Sequence, residues 1–269
     1  MENVPVVSAA ALSDSPGWLL TLLSILGVIG AGLQFTALVP RVWGFFKMNS
    51  VGDYPFVPIL SIALQCFVWS AYGYLIRDFS VFGLNAYGCF LGCFYCLIYF
   101  RTMPAQRQKI FLISLCSVLV IVIAGFCVSM IPSIIDLGYD KDIIGKMAMA
   151  GSIALFAAPL VAMGQVIRAR SCASMSLPLL LAALLSSHSW FFYGLLKPDL
   201  NIWLPNGIGS GLNWIQAILF AVFLPMDIKR KRAMKKLSEQ NPTSPVSSPD
   251  EDSSLIHNQA PSPTPERAV

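Results

Sequence analysis

The chain has little charge. Asp, Glu, Lys and Arg make up 12% of its 269 residues, hydrophobic residues make up 56%, and the mean hydropathy is +0.67. Soluble domains carry about a quarter charged residues, so this composition favours a membrane protein. A helix needs about 20 apolar residues to cross a bilayer, and seven stretches qualify, which leaves no room for a large soluble domain before Pro225. The stretches are roughly 18–42, 55–76, 80–100, 110–132, 147–167, 176–196 and 203–225.

Residues that carry enzyme or metal chemistry are also scarce. The chain has two His, and neither a nucleophile–base pair nor a metal-binding pattern appears. Cys89, Cys93 and Cys96 lie along one predicted helix, but the sequence places no His or carboxylate near them as a further metal ligand. They are therefore interpreted as small apolar side chains that fill space in the helix packing. His188 lies two residues before Trp190 and so faces a different side of its helix; a packing role is favoured over a proton site. We expect no enzyme activity, metal, cofactor or nucleic-acid partner.

A basic start, typical of a signal peptide, is missing as well. The first charged residue is Glu2, so the first apolar stretch is interpreted as an uncleaved span. Lys and Arg concentrate in alternate loops, which predicts that those loops are cytoplasmic, the N-terminus outside and the C-terminus inside. The basic residues on the predicted cytoplasmic side are Arg41, Lys47, Arg101, Arg107, Lys109, Arg168, Arg170, Lys229, Arg230, Lys231, Arg232, Lys235 and Lys236.

A duplication is the strongest pattern present. WSAYGYLIRDFSVFGLN (69–85) and WFFYGLLKPDLNIWLPN (190–206) align without a gap at an offset of 121 residues. Upstream, Pro40 corresponds to Pro159 and Pro58 to Pro178, with one extra residue in the second copy. Each repeat therefore contains three helices.

One further span separates the repeats. Residues 109–131 carry no charge after the first position. Each repeat has three spans, so two repeats joined directly would be inverted. The one additional span between them makes the two repeats parallel. We predict an all-α membrane protein with a three-plus-one-plus-three arrangement. The predicted segments are an extracellular tail (1–16), a first repeat (17–101), a linker helix (102–135), a second repeat (136–228) and a disordered cytoplasmic tail (229–269).

Trp69, Trp190, Asn85 and Asn206 are the candidate binding residues. An isolated membrane Asn can serve only to join helices, and a Trp can belong to an interfacial belt. Here both occur twice at identical spacing, and equivalent positions of parallel repeats face each other across the repeat axis. We expect the four to line one site. Indole faces stack on sugar rings and Asn offers a donor and an acceptor to hydroxyls, which indicates a neutral polyhydroxyl ligand.

Charged residues are missing from the middle of every span. A site for an ion or an amino acid would be expected to supply one, and coupling to protons or sodium usually needs an intramembrane carboxylate. Uniport of an uncharged solute is therefore favoured.

Two further sets suggest moving parts. Pro40, Pro58, Pro159 and Pro178 are predicted to break helix hydrogen bonds and act as hinges. Tyr72 with Asp199, and Tyr193 with Asp78, are predicted to close the outer mouth by hydrogen bonds across the axis. The alternative, that both Asp residues only form turns, is equally acceptable from the sequence.

Taken together, these duplicated elements resemble the SWEET (MtN3/saliva) sugar transporters over residues 20–225. The resemblance implies bidirectional, energy-independent sugar diffusion, with the paired Asn as hydroxyl ligands and the aromatic pair as a cap. It also implies the four prolines as hinges, Tyr72 with Asp199 as an outer gate, and homo-oligomers. One departure is Ala71 before Tyr72, with the Trp moved to position 69; two Trp caps favour a monosaccharide. The plasma membrane is expected, with endosomal, vacuolar or Golgi membranes as alternatives.

Two other functions are weighed. A seven-helix receptor shares the topology but would not show a three-helix duplication, and the sequence has neither Asp-Arg-Tyr after span 3 nor Asn-Pro-x-x-Tyr in span 7. A PQ-loop carrier of another small solute, such as an amino acid, predicts Pro-Gln pairs, whereas Arg41 and Leu160 follow the relevant prolines.

Overall fold

Residues 16–134 and 141–240 are described by the computed structural model, and their regular structure is entirely helical. Seven of the helices are long and apolar enough to cross a membrane, which confirms the predicted fold class. Span 1 comprises Gly17–Thr36 and Val39–Met48, span 2 Val57–Leu75, span 3 Phe79–Thr102, span 4 Ala105–Ile134, span 5 Lys141–Leu155 and Ala157–Ala169, span 6 Leu177–Leu196, and span 7 Leu200–Gln240.

Spans 1 and 5 are each interrupted just before a proline, which lies four residues after the last residue of the first helix. Pro40 has no N–H to donate to the carbonyl of Thr36, and the first helix of span 1 ends at Thr36. Pro159 has the same relation to Leu155, where the first helix of span 5 ends. These two prolines therefore interrupt their spans, and their role as hinges stays a prediction.

Pro58 and Pro178 do not, which corrects the expectation that all four interrupt a helix. Each occupies the first turn of its helix, where backbone N–H groups have no intrahelical acceptor in any case. They start spans 2 and 6 and remove no hydrogen bond from them.

The turns between spans 2 and 3 and between spans 6 and 7 are built alike. The N–H of Asp78 donates to the carbonyl of Gly73 at 2.8 Å, and that of Asp199 to Gly194 at the same distance. A Cβ on Gly73 would lie 2.5 Å from the nitrogen of Phe82, and one on Gly194 2.6 Å from the nitrogen of Trp203. The Tyr-Gly pair recurs in both repeats because the two helices touch at the glycine.

Two seams join the repeats. Span 1 packs closely on span 6, where a Cβ on Gly30 would lie 2.7 Å from the nitrogen of Ser186. Span 2 packs on span 5 through Gln65, whose amide donates to the carbonyl of Ala148 at 2.6 Å. An apolar cluster to which every span contributes lies between the seams. Its buried members are Ala31, Val68, Tyr72, Val81, Leu84, Val122, Ile144, Ala148, Trp190, Tyr193 and Ile202.

The helix of span 7 extends further than predicted. It runs without interruption through the basic segment to Gln240, so residues 229–240 are not part of a disordered tail. Lys and Arg are good helix formers, and Lys235 lies 4.0 Å from Glu239 one turn later. The predicted N-terminal tail, apart from Pro16, and the segments 135–140 and 241–269 lie outside the described residues.

Candidate functional site

The tyrosines of the two repeats each reach the carboxylate of the opposite repeat. The hydroxyl of Tyr72 donates to Oδ2 of Asp199 at 2.8 Å, and the hydroxyl of Tyr193 donates to Oδ2 of Asp78 at 2.6 Å. Both tyrosines are buried. These reciprocal bonds join the two turns, and we call this part of the molecule the tyrosine end.

Each carboxylate also caps a helix with its other oxygen. Oδ1 of Asp78 accepts the backbone N–H groups of Ser80 and Val81 at the start of span 3. Oδ1 of Asp199 accepts those of Asn201 and Ile202 at the start of span 7. The two sequence alternatives for these Asp residues are therefore compatible, since one oxygen forms the turn and the other contacts the tyrosine.

The two pairs differ in their further partners, which the sequence did not reveal. Lys197 donates to Oδ2 of Asp78 at 2.7 Å, whereas the corresponding position of the first repeat is Ile76. On the other side, Nδ2 of Asn201 donates to the hydroxyl of Tyr72 at 3.1 Å and lies 3.4 Å from Asp142. Lys197 lies one helical turn after Tyr193 in the sequence, and this spacing could have indicated that both side chains reach the same carboxylate.

Charge pairing stabilises the ionised form of Asp78. Burial alone raises the pKa of its carboxyl, but hydrogen bonds from Lys197, Tyr193 and the N–H of Val81 outweigh burial and bring the pKa below its ordinary value. Burial likewise lowers the pKa of Lys197, and the bonds to Asp78 and Tyr193 outweigh it and raise that pKa. Both shifts favour a charged pair at the tyrosine end.

The two candidate Trp residues lie at the apolar cluster between the repeats. Trp190 is a buried member of it, and its indole lies against Gly27, where a Cβ would come within 2.8 Å of the ring. Trp69 packs against the same cluster and donates its N–H to Oγ of Ser152 at 3.0 Å. Oγ of Ser152 also accepts from Gln65 at 2.7 Å, so one hydroxyl of span 5 holds two side chains of span 2.

The two candidate Asn residues have matching local contacts. Nδ2 of Asn85 donates to the carbonyl of Val81, and Nδ2 of Asn206 to that of Ile202, each at 2.8 Å and one turn earlier in the helix. In the described part of the chain neither Oδ1 accepts a hydrogen bond. Both amides are thus held in position with one acceptor group available to a ligand.

A cavity of about 480 Å³ opens beside Asn206. It lies among spans 5, 6 and 7 with Gln34 of span 1, and it extends to residues 174–176, in the loop that precedes Pro178; we call this side the proline end. The side chains that line it are uncharged. Its polar lining residues are Gln34, Ser174, Ser176, Ser186, Ser187, Asn206, Asn213 and Gln216.

Of the four predicted binding residues, Asn206 lines this cavity, and Asn85, Trp69 and Trp190 do not. The single site with all four side chains therefore stays a prediction. Gln34, Asn213 and Gln216 were not identified from the sequence, although an amide within an apolar span is itself a signal of function.

His188 uses both ring nitrogens within the protein. Its Nδ1 lies 2.8 Å from the carbonyl of Leu184, and its Nε2 accepts the indole N–H of Trp214 at 2.9 Å. In this arrangement Nδ1 faces an acceptor and Nε2 faces a donor. No group of three or more potential metal ligands occurs among the described residues.

Two parallel three-helix repeats that are joined at one end by reciprocal hydrogen bonds, with an uncharged cavity beside Asn206, have the architecture of a membrane carrier. A family model described as "Sugar efflux transporter for intercellular exchange" matches residues 21–107 and 142–227, one segment in each repeat. The chain belongs to this family, the MtN3/saliva or SWEET family.

Individual relatives agree with this assignment. Sugar transporter SWEET1 of Caenorhabditis elegans is 32% identical over 220 residues, which cover 81% of this chain and 70% of that protein. Bidirectional sugar transporter SWEET5 of Arabidopsis thaliana is 31% identical over 212 residues, or 76% and 85% of the two chains. The structure of a eukaryotic SWEET transporter superposes with a TM-score of 0.68 at 27% identity and covers 77% of this chain and 98% of that one. Family membership argues against a receptor.

Proposed function

We propose that this protein is a facilitative, bidirectional sugar transporter that works by alternating access. Membership of the SWEET family carries this proposal, and the chemistry of the cavity supports it. Amide and hydroxyl groups line the cavity without a charged side chain, as suits an uncharged ligand rich in hydroxyls. Sugar moves down its gradient in either direction and no chemical step takes place.

The central sugar site comprises Asn85 and Asn206 as hydroxyl ligands and Trp69 and Trp190 as stacking rings. Matching intrahelical bonds of the two Asn and the shared apolar cluster of the two Trp support this assignment. Relative motion of the repeats about the seams brings the four side chains to one sugar. A monosaccharide, with two large rings above and below it, is the expected substrate.

The two Tyr–Asp pairs act as the gate at the tyrosine end, and the helix breaks at Pro40 and Pro159 act as hinges. In the described state both pairs are formed while the cavity reaches the proline end. A sugar entering from the proline end would meet Asn206, and opening of the gate would then release it on the other side. Pro58 and Pro178 contribute as helix starts beside the moving loops.

Transport is not coupled to an ion. Among the described residues the cavity lining contains no carboxylate, and both ring nitrogens of His188 are engaged within the protein. Accumulation of sugar against its gradient is therefore not expected.

Orientation, location and assembly belong to the same proposal. The excess of Lys and Arg at the proline end, including the segment Lys229–Lys236, supports a cytoplasmic C-terminus and an external N-terminus. With that orientation the tyrosine end faces outward. The plasma membrane is the proposed site of action, and the protein assembles as a homo-oligomer in the bilayer.

Uptake into proteoliposomes tests the function directly. Vesicles with the purified protein should equilibrate labelled glucose faster than empty vesicles, with sucrose as the comparison sugar. Uptake should be unchanged when a proton gradient is collapsed. Absence of uptake for every sugar tried would contradict sugar transport, and dependence on the gradient would contradict uniport.

A further inference from the structure

Spans 3 and 7 differ at two corresponding positions that bear on the cavity. Span 3 has Gly92 and Tyr95 where span 7 has Asn213 and Gln216, 121 residues later. A Cβ on Gly92 would lie 2.6 Å from the backbone of Ala63, and Tyr95 is fully buried with its hydroxyl donating to the carbonyl of Phe35 at 2.9 Å. The first repeat is therefore tightly packed at this level.

In the second repeat the same level is part of the cavity wall. Asn213 and Gln216 both line it, together with Asn206 of the same helix and Gln34 of span 1. Positions 206, 213 and 216 lie on one side of an α-helix, within an arc of about 80°, since each residue turns the helix by about 100°. Asn213 and Gln216 lie about 10 and 15 Å along the helix axis from Asn206, at 1.5 Å per residue.

The two amides have acceptor and donor groups to spare. Nδ2 of Asn213 donates to the carbonyl of Ala183 at 3.2 Å and to Oγ of Ser187 at 3.1 Å, which fixes the side chain and leaves its Oδ1 without a described partner. Gln216 makes no hydrogen bond to another described residue. An amide inside a membrane protein is costly unless it is satisfied, so a hydroxylated ligand or water must complete these groups.

We propose that Asn213 and Gln216 form an inner sugar-binding subsite, separate from the position at Asn206 and nearer the proline end. The proposal rests on the proposed function and names a second position for its substrate. The separation along the helix is longer than one pyranose ring, so a sugar bound at Asn206 does not reach Gln216. The subsite holds a sugar on its way through the cavity, by hydrogen bonds to its hydroxyls, and gives the two otherwise similar repeats different roles.

Sugar binding by conservative variants tests this subsite. Gln216→Met and Asn213→Leu retain the side-chain size and remove the amide; Gln216→Asn keeps an amide. In protein reconstituted into lipid nanodiscs, titration calorimetry with glucose should show the dissociation constant raised about fivefold by each apolar variant, the effect of one lost hydrogen bond. Gln216→Asn should restore part of the affinity. Gln108→Met, which removes an amide of span 4 away from the cavity, should bind like the wild type.

Each result decides between sugar and water as the partner of these amides. If both apolar variants bind glucose as the wild type does, while the wild type transports it, the amides are only hydrated and the subsite is wrong. If Asn213→Leu fails to fold, Gln216→Met alone decides, because its side chain has no described hydrogen bond to lose. A wild type that neither binds nor carries sugar would overturn the proposed function, and the subsite with it.

Discussion

Removal of the Tyr72 hydroxyl should open the tyrosine end. Tyr72→Phe deletes the bond to the carboxylate of Asp199, which is 2.8 Å long. A hydrogen bond to a charged group contributes about 1.5–3 kcal/mol, so the ratio of open to closed forms should rise roughly 10- to 150-fold. The contact from Asn201 to the same hydroxyl is lost as well, which favours the upper part of this range.

The second tyrosine provides an internal comparison. Tyr193→Phe also removes one bond, but Asp78 keeps its ion pair with Lys197 at 2.7 Å. The remaining pair still links span 6 to the turn before span 3. The structure therefore predicts a smaller opening for Tyr193→Phe than for Tyr72→Phe, although the two residues are repeat mates.

Hydrogen–deuterium exchange in nanodiscs measures this opening. Backbone amides of the two turns, residues 76–80 and 197–201, should exchange faster in Tyr72→Phe in proportion to the open population. Tyr74→Phe is the matched control, because Tyr74 is exposed on the same helix two residues away. Equal exchange in Tyr72→Phe and Tyr74→Phe would refute the view that the reciprocal bonds hold this end closed.

Three further predictions concern the hinge, the binding ring and pH. Pro159→Ala should restore the missing hydrogen bond between the two helices of span 5 and slow sugar exchange severalfold, whereas Pro178→Ala, which follows a loop and not another helix, should slow it less; counterflow rates compare them. Ser152→Ala should raise the half-saturation concentration for sugar about fivefold by freeing the Trp69 ring, with Ser152→Thr close to wild type, in the same uptake assay. Uptake should not change between about pH 5 and 9. Because the pKa of Asp78 is lowered, its carboxylate stabilises the closed end until the pH falls through that pKa, and because the pKa of Lys197 is raised, its ammonium does so until the pH rises through that pKa. A step in the profile near neutral pH would contradict this.

The fold could be predicted from the sequence because its determinants repeat. Apolar length defined seven spans, and a duplication at constant spacing defined two parallel bundles. The reciprocal Tyr–Asp bonds followed from the same symmetry, since Tyr72 and Asp199 exchange places with Tyr193 and Asp78 when the repeats are interchanged. The sequence did not show which prolines interrupt a span. Pro40 and Pro159 directly follow another helix and Pro58 and Pro178 follow a loop, and this depends on helix boundaries that the sequence defines only to within a few residues.

Features that break the symmetry could not be obtained in this way. Lys197 and Asn201 have no counterparts of the same type in the first repeat, so no pairing pointed to them. The cavity is formed mainly by spans 5, 6 and 7, so it belongs mostly to the second repeat. In the first repeat the corresponding level is filled by close packing at Gly92 and Tyr95. Such differences depend on side-chain packing between distant segments, which a one-dimensional pattern does not report.

Transport by the double variant Asn85→Ala, Asn206→Ala tests the central claim most directly. Purified wild type and variant are reconstituted in equal amounts, and equilibrative uptake of labelled glucose is followed. If the two amides supply the hydroxyl contacts of one central sugar site, the variant should lose transport while it remains folded and membrane-inserted. Full transport by the double variant would contradict the account.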